Sequence, residues 1–236
     1  MTNIDQHFEA YSAWRQELFK AVGDFRGWLQ NQELADVQVD QRLDQVLSTL
    51  RDDKLYVAFV AEFSRGKSEL INAIFFAAFG QRVLPSSAGR TTMCPTELMY
   101  DKGSVPCIRL LPIETRASGT GVAELRGFAE EWTTIPLDIE SPDKVAQALQ
   151  HIAEIKKVSK ETAQTLGLHI AEEETQNGMH LAEDGMVEVP RWRHAIINFP
   201  HPLLDQGLVI LDTPGLNALG TEPELTLSML PGAQAV

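Results

Sequence analysis

From Ile4 to Leu29 the apolar side chains fall at Ile4, Phe8, Tyr11, Trp14, Leu18, Val22, Phe25 and Leu29. Steps of three and four put them along one helical face, which predicts a helix over 4–30. Gly23 and Gly27 weaken its second half. Val39, Leu43, Val46, Leu47 and Leu50 repeat the spacing and predict a second helix. Such stripes suit helices packed on a core, and equally helices that join a bundle completed by other segments. From Lys54 the rhythm changes. "KLYVAFVAEF" (54–63) reads as a buried strand and "KSELINAIFFAAFG" (67–80) as a helix stopped at Gly80. "CPTELMYD" and "VPCIRLLP" read as strands. "SPDKVAQALQHIAEIKKV" (141–158) predicts one helix, capped by Ser141 and opened by Pro142, with Val145, Leu149, Ile152 and Ile155 on its apolar face. "RHAIINFP" and "GLVILDTPG" read as strands, the second running straight into a turn. Strands alternating with helices predict an α/β class with a mainly parallel sheet.

Composition narrows the picture. The chain has 236 residues, 44% hydrophobic and 22% charged, which is an ordinary globular composition. It carries no uninterrupted apolar run near the ~18–20 residues of a membrane span, and "MTNIDQHFEA" has neither the basic nor the apolar part of a secretory leader. Cys94 and Cys107 form no CxxC pair, so the compartment reads as reducing and cytoplasmic. The histidines show no zinc-binding spacing. The net charge of −13 argues against sequence-independent nucleic-acid binding and against a broad basic membrane face, while leaving room for a local basic pocket. Residues 171–190 contain Glu172, Glu173, Glu174, Glu183, Asp184 and Glu188 with no Lys or Arg, and read as a solvated acidic excursion. Ala235 and Val236 read as the beginning of a strand, so the sequence is expected to be the N-terminal part of something longer.

The chemistry is concentrated where the 54–63 strand meets the 67–80 helix. Ala61-Glu62-Phe63-Ser64-Arg65-Gly66-Lys67-Ser68 fits the strand–GxxxxGK[ST]–helix pattern of a phosphate-binding P-loop, except that Ala61 stands at the first glycine. Gly66 lets backbone N–H groups approach phosphates, Lys67 reaches the β- and γ-phosphates, and Ser68 offers a hydroxyl to Mg²⁺. The helix that follows, with Glu69 in its first turn, points its positive end at the anion. A second element, "LDTPGL" (211–216), ends an apolar strand in Asp212, then Thr213-Pro214-Gly215. A DxPG turn of this kind in GTPases places the Asp on Mg²⁺ through water and the Gly N–H near the γ-phosphate. Between the two lies "VLPSSAGRTTMCPTELMY" (83–100), where a GTPase keeps its first switch; Thr91, Thr92 and Thr96 compete for its Mg²⁺-binding threonine.

Taken together, "EFSRGKSELINAIF", "VLPSSAGRTTMCPTEL" and "LVILDTPGL" followed by "LSMLPGAQAV" resemble the bacterial dynamin-like proteins of the dynamin superfamily of large GTPases. The resemblance covers about 54–112 and 195–236, with an insertion at about 113–190 between them. It implies a P-loop GTPase-type fold preceded by N-terminal neck helices: residues 1–52 as the helical segment, and 53–236 as a partial GTPase domain. It implies a nucleotide site built from Ala61, Glu62, Phe63, Ser64, Arg65, Gly66, Lys67, Ser68, Glu69, Asp212 and Gly215. Ser64, Lys67 and Thr92 would act in catalysis, Ser64 by ordering the attacking water or the transition-state charge. Thr92 is the threonine whose following "TMCPTE" matches the family pattern; with Ser68 and Asp212 it would hold Mg²⁺. Arg65 would add charge near the phosphates or face solvent. GTP and GDP are the expected ligands, with Mg²⁺. A homo-oligomer formed across the GTPase domains is the expected assembly, and membrane contact would come through parts outside these residues, at the inner face of the membrane.

Two departures from the family pattern bear on function. Ala61 favours an alternative, a nucleotide-binding regulatory module with little hydrolysis. No [NT]KxD motif for reading guanine occurs in the 236 residues, so a P-loop ATPase is a further alternative, and weak turnover by these residues alone is expected.

Overall fold

The computed structural model describes residues 3–32, 34, 36–51, 54–60, 66–85, 94–168, 186–213 and 235. The chain divides into two compact units, Met1–Lys54 and Leu55–Val236.

In the first unit α1 (Asn3–Asn31) and α2 (Val37–Arg51) form an antiparallel helical hairpin. Gly23 and Gly27 do not interrupt α1. Ion pairs join the two helices. The Arg26 guanidinium forks onto both carboxylate oxygens of Asp40, at 2.7 and 2.8 Å, and reaches Asp44 at 2.6 Å. Asp36 caps α2 by accepting from the Val39 N–H at 2.7 Å. The Arg51 guanidinium lies 5.8 Å from the Phe19 ring centre. Trp14, Phe25 and Trp28 of α1 remain about half exposed.

The second unit is built on β1 (Leu55–Phe59), α3 (Lys67–Phe75), β2 (Thr96–Met99), β3 (Cys107–Pro112), α4 (Val122–Leu125), β4 (Thr133–Pro136), α5 (Pro142–Gln150), β5 (Ile155–Val158), α6 (Lys160–Thr165), β6 (Val187–Pro190), β7 (Trp192–Asn198), α7 (Pro202–Asp205) and β8 (Leu208–Asp212). Among the described residues the main sheet runs β1-β8-β2-β7-β3-β4. Pairing is parallel between β1 and β8 and between β2 and β7. It is antiparallel at the β2–β8, β3–β7 and β3–β4 joins. Ala235, expected to begin a strand, bridges Val57 in parallel, so both described neighbours of β1 run in its direction.

The sheet is apolar on both faces, the signature of a layer covered on each side. Ile210 of β8 turns to the face packed by Ile71 and Phe75 of α3, Val145 and Leu149 of α5 and Leu204 of α7. Val209 and Leu211 turn to the other face, with Leu125 and Trp132. This is the α/β layering that the alternation of elements predicts. Among the described residues no helix is long and apolar enough to cross a membrane.

Three expectations change in detail. The helix predicted over 67–80 ends at Phe75, because Phe76 leaves helical geometry and packs its ring 4.9 Å from that of Phe199. Gly80, at φ +65°, instead closes the short 3₁₀ turn Ala77–Phe79. The helix predicted over 141–158 is α5 only; a turn at His151–Ala153 leads into strand β5. Ser141 makes no side-chain capping bond there. β5 pairs antiparallel with β6, which places Val158, Val187 and Val189 in a small separate core with Ile113, Ala163, Leu166 and Leu168. That burial outweighs the helical spacing of Ile152 and Ile155. The last four residues of the predicted acidic excursion are therefore strand β6, and residues 171–185 lie outside the described residues.

On the sheet face away from α3, Glu97 of β2 is buried beside His194 of β7, whose Nε2 lies 2.9 Å from Oε1. Arg126, which follows α4, pairs with the same oxygen. Burial pushes the Glu97 carboxyl up, but the hydrogen bond and charge of His194 and the charge of Arg126 prevail and hold it down to about 2. Trp132 meets His194 edge-on at 6.3 Å, and Arg109 covers the Trp132 ring at 4.7 Å.

Candidate functional site

Parallel pairing of β1 with β8 sets Phe59 opposite Asp212. The carboxyl ends of the two strands that lead to the P-loop and to the DxPG turn therefore lie side by side. In open α/β sheets, ligands bind beyond such strand ends. Thr213 reinforces the alignment: fully buried, its hydroxyl donates to the Phe59 carbonyl at 2.9 Å.

Gly66 opens α3 in the left-handed region, at φ +84° and ψ +19°. Among the described residues nothing lies within 4 Å of where its Cβ would be, so backbone conformation alone demands glycine there. Gly66, the residue that precedes the helix, supplies no side-chain cap. The first-turn N–H groups of a helix have no intrahelical partners, which suits a helix start to an anion. Lys67 and Ser68 are the first two residues of this helix. Glu69 directs its carboxylate to Arg82, at 3.1 Å. The Glu69 carboxylate is thus turned to Arg82.

The two motifs meet at Ser68 and Asp212. The Ser68 hydroxyl donates to Asp212 Oδ2 at 3.1 Å across 144 residues of sequence. Asp212 is 4% exposed, and its Oδ1 is buried with no hydrogen-bond partner among the described residues. Burial pushes its carboxyl up to about 6, partly opposed by the Ser68 hydrogen bond and the Lys67 charge. A buried carboxylate with one oxygen left over, next to a hydroxyl, is a hard-oxygen donor set and fits a small divalent cation such as Mg²⁺.

Of the candidate switch threonines, Thr96 is described. It is buried in β2 opposite Asp212, and its hydroxyl donates to the Cys94 carbonyl at 3.1 Å. Thr91 and Thr92 lie outside the described residues, as do Ala61, Glu62, Phe63, Ser64, Arg65 and Gly215. The structure thus brings Gly66, Lys67, Ser68, Glu69 and Asp212 to one sheet edge.

Sequence reasoning passed over Asn72. It is a polar residue on the buried face of α3, and its carboxamide bonds the backbone of Val83 and Leu84. A lone amide among Ile71, Phe75 and Phe76 was the available signal. The Glu97–His194 pair, 97 residues apart, carries no local signal at all.

A family model described as the dynamin family matches residues 57–236. A search of the curated proteins finds no match. Two solved structures of an oligomerised bacterial dynamin pair, described as providing a mechanism for the long-range sensing and tethering of membranes, are similar to the chain. One is 16% identical with a TM-score of 0.36, covering 94% of this chain and 32% of its own. The other is 16% identical with a TM-score of 0.39, covering 98% of this chain and 33% of its own. The chain spans about a third of the length of these structures.

Proposed function

Because this chain belongs to the dynamin family, we propose that it binds GTP with Mg²⁺ and hydrolyses it, and that the nucleotide cycle drives self-assembly or scaffolding at a membrane. The observation that carries the reading is the 3.1 Å contact of Ser68 with Asp212, which joins the two phosphate-site motifs and leaves one buried carboxylate oxygen over.

The residues divide the work by their chemistry. The N–H groups at the start of α3 bind phosphate oxygens, with Gly66 giving the backbone its close approach. Lys67 supplies a point charge to the β- and γ-phosphates. Ser68 and Thr92, and Asp212 through water, would hold Mg²⁺, Thr92 in the triphosphate state. When bound, Mg²⁺ neutralises charge on the phosphate oxygens. Ser64 orients the attacking water, and Arg65 adds charge beside it. Ala61, Glu62, Phe63 and Gly215 complete the nucleotide cradle. Phosphoryl transfer leaves the protein little covalent work, so positioning and charge stabilisation carry the reaction.

In this reading residues 1–52 are neck helices, 53–236 form the GTPase part, and about 113–190 are an insertion in it. GTPase parts of two copies associate across the nucleotide face. The protein works in the cytoplasm, at the inner face of the membrane, with turnover by these 236 residues alone remaining weak. A regulatory module with little hydrolysis is the second reading, favoured by Ala61 at the first glycine position. Competition between GTP and ATP, together with single-turnover hydrolysis, tests the proposal on the full protein. Equal affinity for both nucleotides refutes the guanine assignment. Tight GTP binding without turnover favours the regulatory module.

A further inference from the structure

β8 ends at Asp212, and Phe59 with Asp212 is the last register pair between β1 and β8. Thr213 lies one residue past that pair. It is fully buried, and its hydroxyl donates to the carbonyl of Phe59, the last residue of β1, at 2.9 Å. The bond therefore carries the join between the two strands one step beyond their ladder. β2, on the other side of β8, sets Thr96 opposite Asp212, but the Thr96 hydroxyl donates to the Cys94 carbonyl instead. Among the described residues, the side-chain bond that fastens this end of β8 to a neighbouring strand is that of Thr213. Threonine suits the place because it joins a β-branched shape, which fits extended backbone, to a hydroxyl donor. Valine keeps the shape without the donor, and serine keeps the donor without the methyl group.

The chemical consequence lies in the residue next to it. Asp212 shares the sheet side of Ile210, the side packed by α3, and its carboxylate accepts from Ser68 of α3 at 3.1 Å. Its other oxygen is buried with no hydrogen-bond partner among the described residues. The position of that carboxylate follows the end of β8, and Thr213 pins the end of β8. We propose that Thr213 is a positioning residue for the divalent cation: by tying the backbone beside Asp212 to Phe59, it fixes the Asp212 carboxylate relative to Ser68. Mg²⁺ demands near-ideal ligand geometry, so a carboxylate free to shift serves it poorly. The role assigned to Thr213 rests on the phosphate-site reading above. It adds a residue that acts on the cation only through the neighbour it holds.

A purely structural Thr213 would lower stability and leave the metal requirement of the folded protein unchanged. The test uses the full protein and a non-hydrolysable GTP analogue, and compares Thr213→Val and Thr213→Ser with wild type. Calorimetry measures analogue affinity without metal and across a Mg²⁺ titration, and urea unfolding measures stability separately. Thr213→Val is expected to raise the Mg²⁺ concentration at half-effect by about tenfold, the low end for a group that orients a metal ligand, with metal-free affinity changed less than about twofold. Thr213→Ser keeps the donor and should stay within about threefold of wild type. If the valine variant fails to fold, Thr213→Ala compared with Thr213→Ser isolates the hydroxyl in the same way. An unchanged Mg²⁺ requirement without the hydroxyl, an equal loss of affinity with and without Mg²⁺, or a serine variant as impaired as the valine one overturns the role of Thr213. Wild type that binds no analogue, or binds it with no response to Mg²⁺, overturns the phosphate-site reading itself, so the two failures are distinguishable.

Discussion

Replacing Glu97 by Gln tests the buried charge network on the sheet face away from the nucleotide site. The Glu97 carboxyl is displaced from 4.5 to about 2, because His194 and Arg126 outweigh the effect of burial. At about 1.4 kcal/mol per tenfold change in proton affinity, this corresponds to about 3 kcal/mol of stability in the ionised form. An independent argument gives a similar size: removing one partner of a buried ion pair costs about 3–5 kcal/mol, because the remaining charge loses its counter-ion. The sign follows from the direction. A carboxyl whose proton affinity falls on folding stabilises the native state at pH above 4.5 and loses that contribution as pH drops toward 2. Glu97→Gln is therefore expected to unfold about 2–3 kcal/mol more easily than wild type at pH 7, and the gap should close as pH falls below 4. Urea unfolding at pH 7, 5 and 3, followed by tryptophan fluorescence, reads this through Trp132, which meets His194 edge-on. Nucleotide affinity should not change while the protein is folded, since Glu97 and α3 lie on opposite faces of the sheet. A stability gap that is the same at every pH would refute the reasoning, as would a variant as stable as wild type at pH 7.

Three further predictions concern the nucleotide site. Lys67→Ala should abolish nucleotide binding in a protein that still folds; unchanged GTP affinity by calorimetry would remove the P-loop reading. Gly66→Ala places a Cβ at φ +84° and should destabilise the fold by about 1–2 kcal/mol, measured as a shift in urea midpoint, and should weaken phosphate binding as well. Thr92→Ala should slow single-turnover hydrolysis more than it weakens GDP binding, because in the proposed mechanism the threonine is called on only in the triphosphate state. A larger effect from Thr91→Ala would move the switch by one residue.

The elements that carry the site were legible in the sequence because their signals are local. Lys67 and Ser68 follow a strand-like run and open a helix, and Asp212 ends a run of apolar β-formers before a Thr-Pro-Gly turn. A left-handed opening residue before α3 could be anticipated at Gly66, since glycine adopts positive φ without steric cost. The family followed from these motifs and their order. Local periodicity failed where a non-local contact competed with it. Ile155 continues the helical spacing of Val145, Leu149 and Ile152, yet pairing with Pro190 turns it into a strand residue. Phe76 continues a helix by composition, but its contact with Phe199 ends one. Only the tertiary structure could bring Ser68 to Asp212, Glu97 to His194, and Asn72 to the backbone of Leu84. The first two pairs are 144 and 97 residues apart along the chain, and sheet register fixes their separation in space. Asn72 is only 12 residues from Leu84, but its partners are main-chain groups that every residue carries, so no side-chain pattern announces them. Sequence determined which groups can do chemistry here; the ordering of strands, set by burial on both faces of the sheet, decided which of them meet.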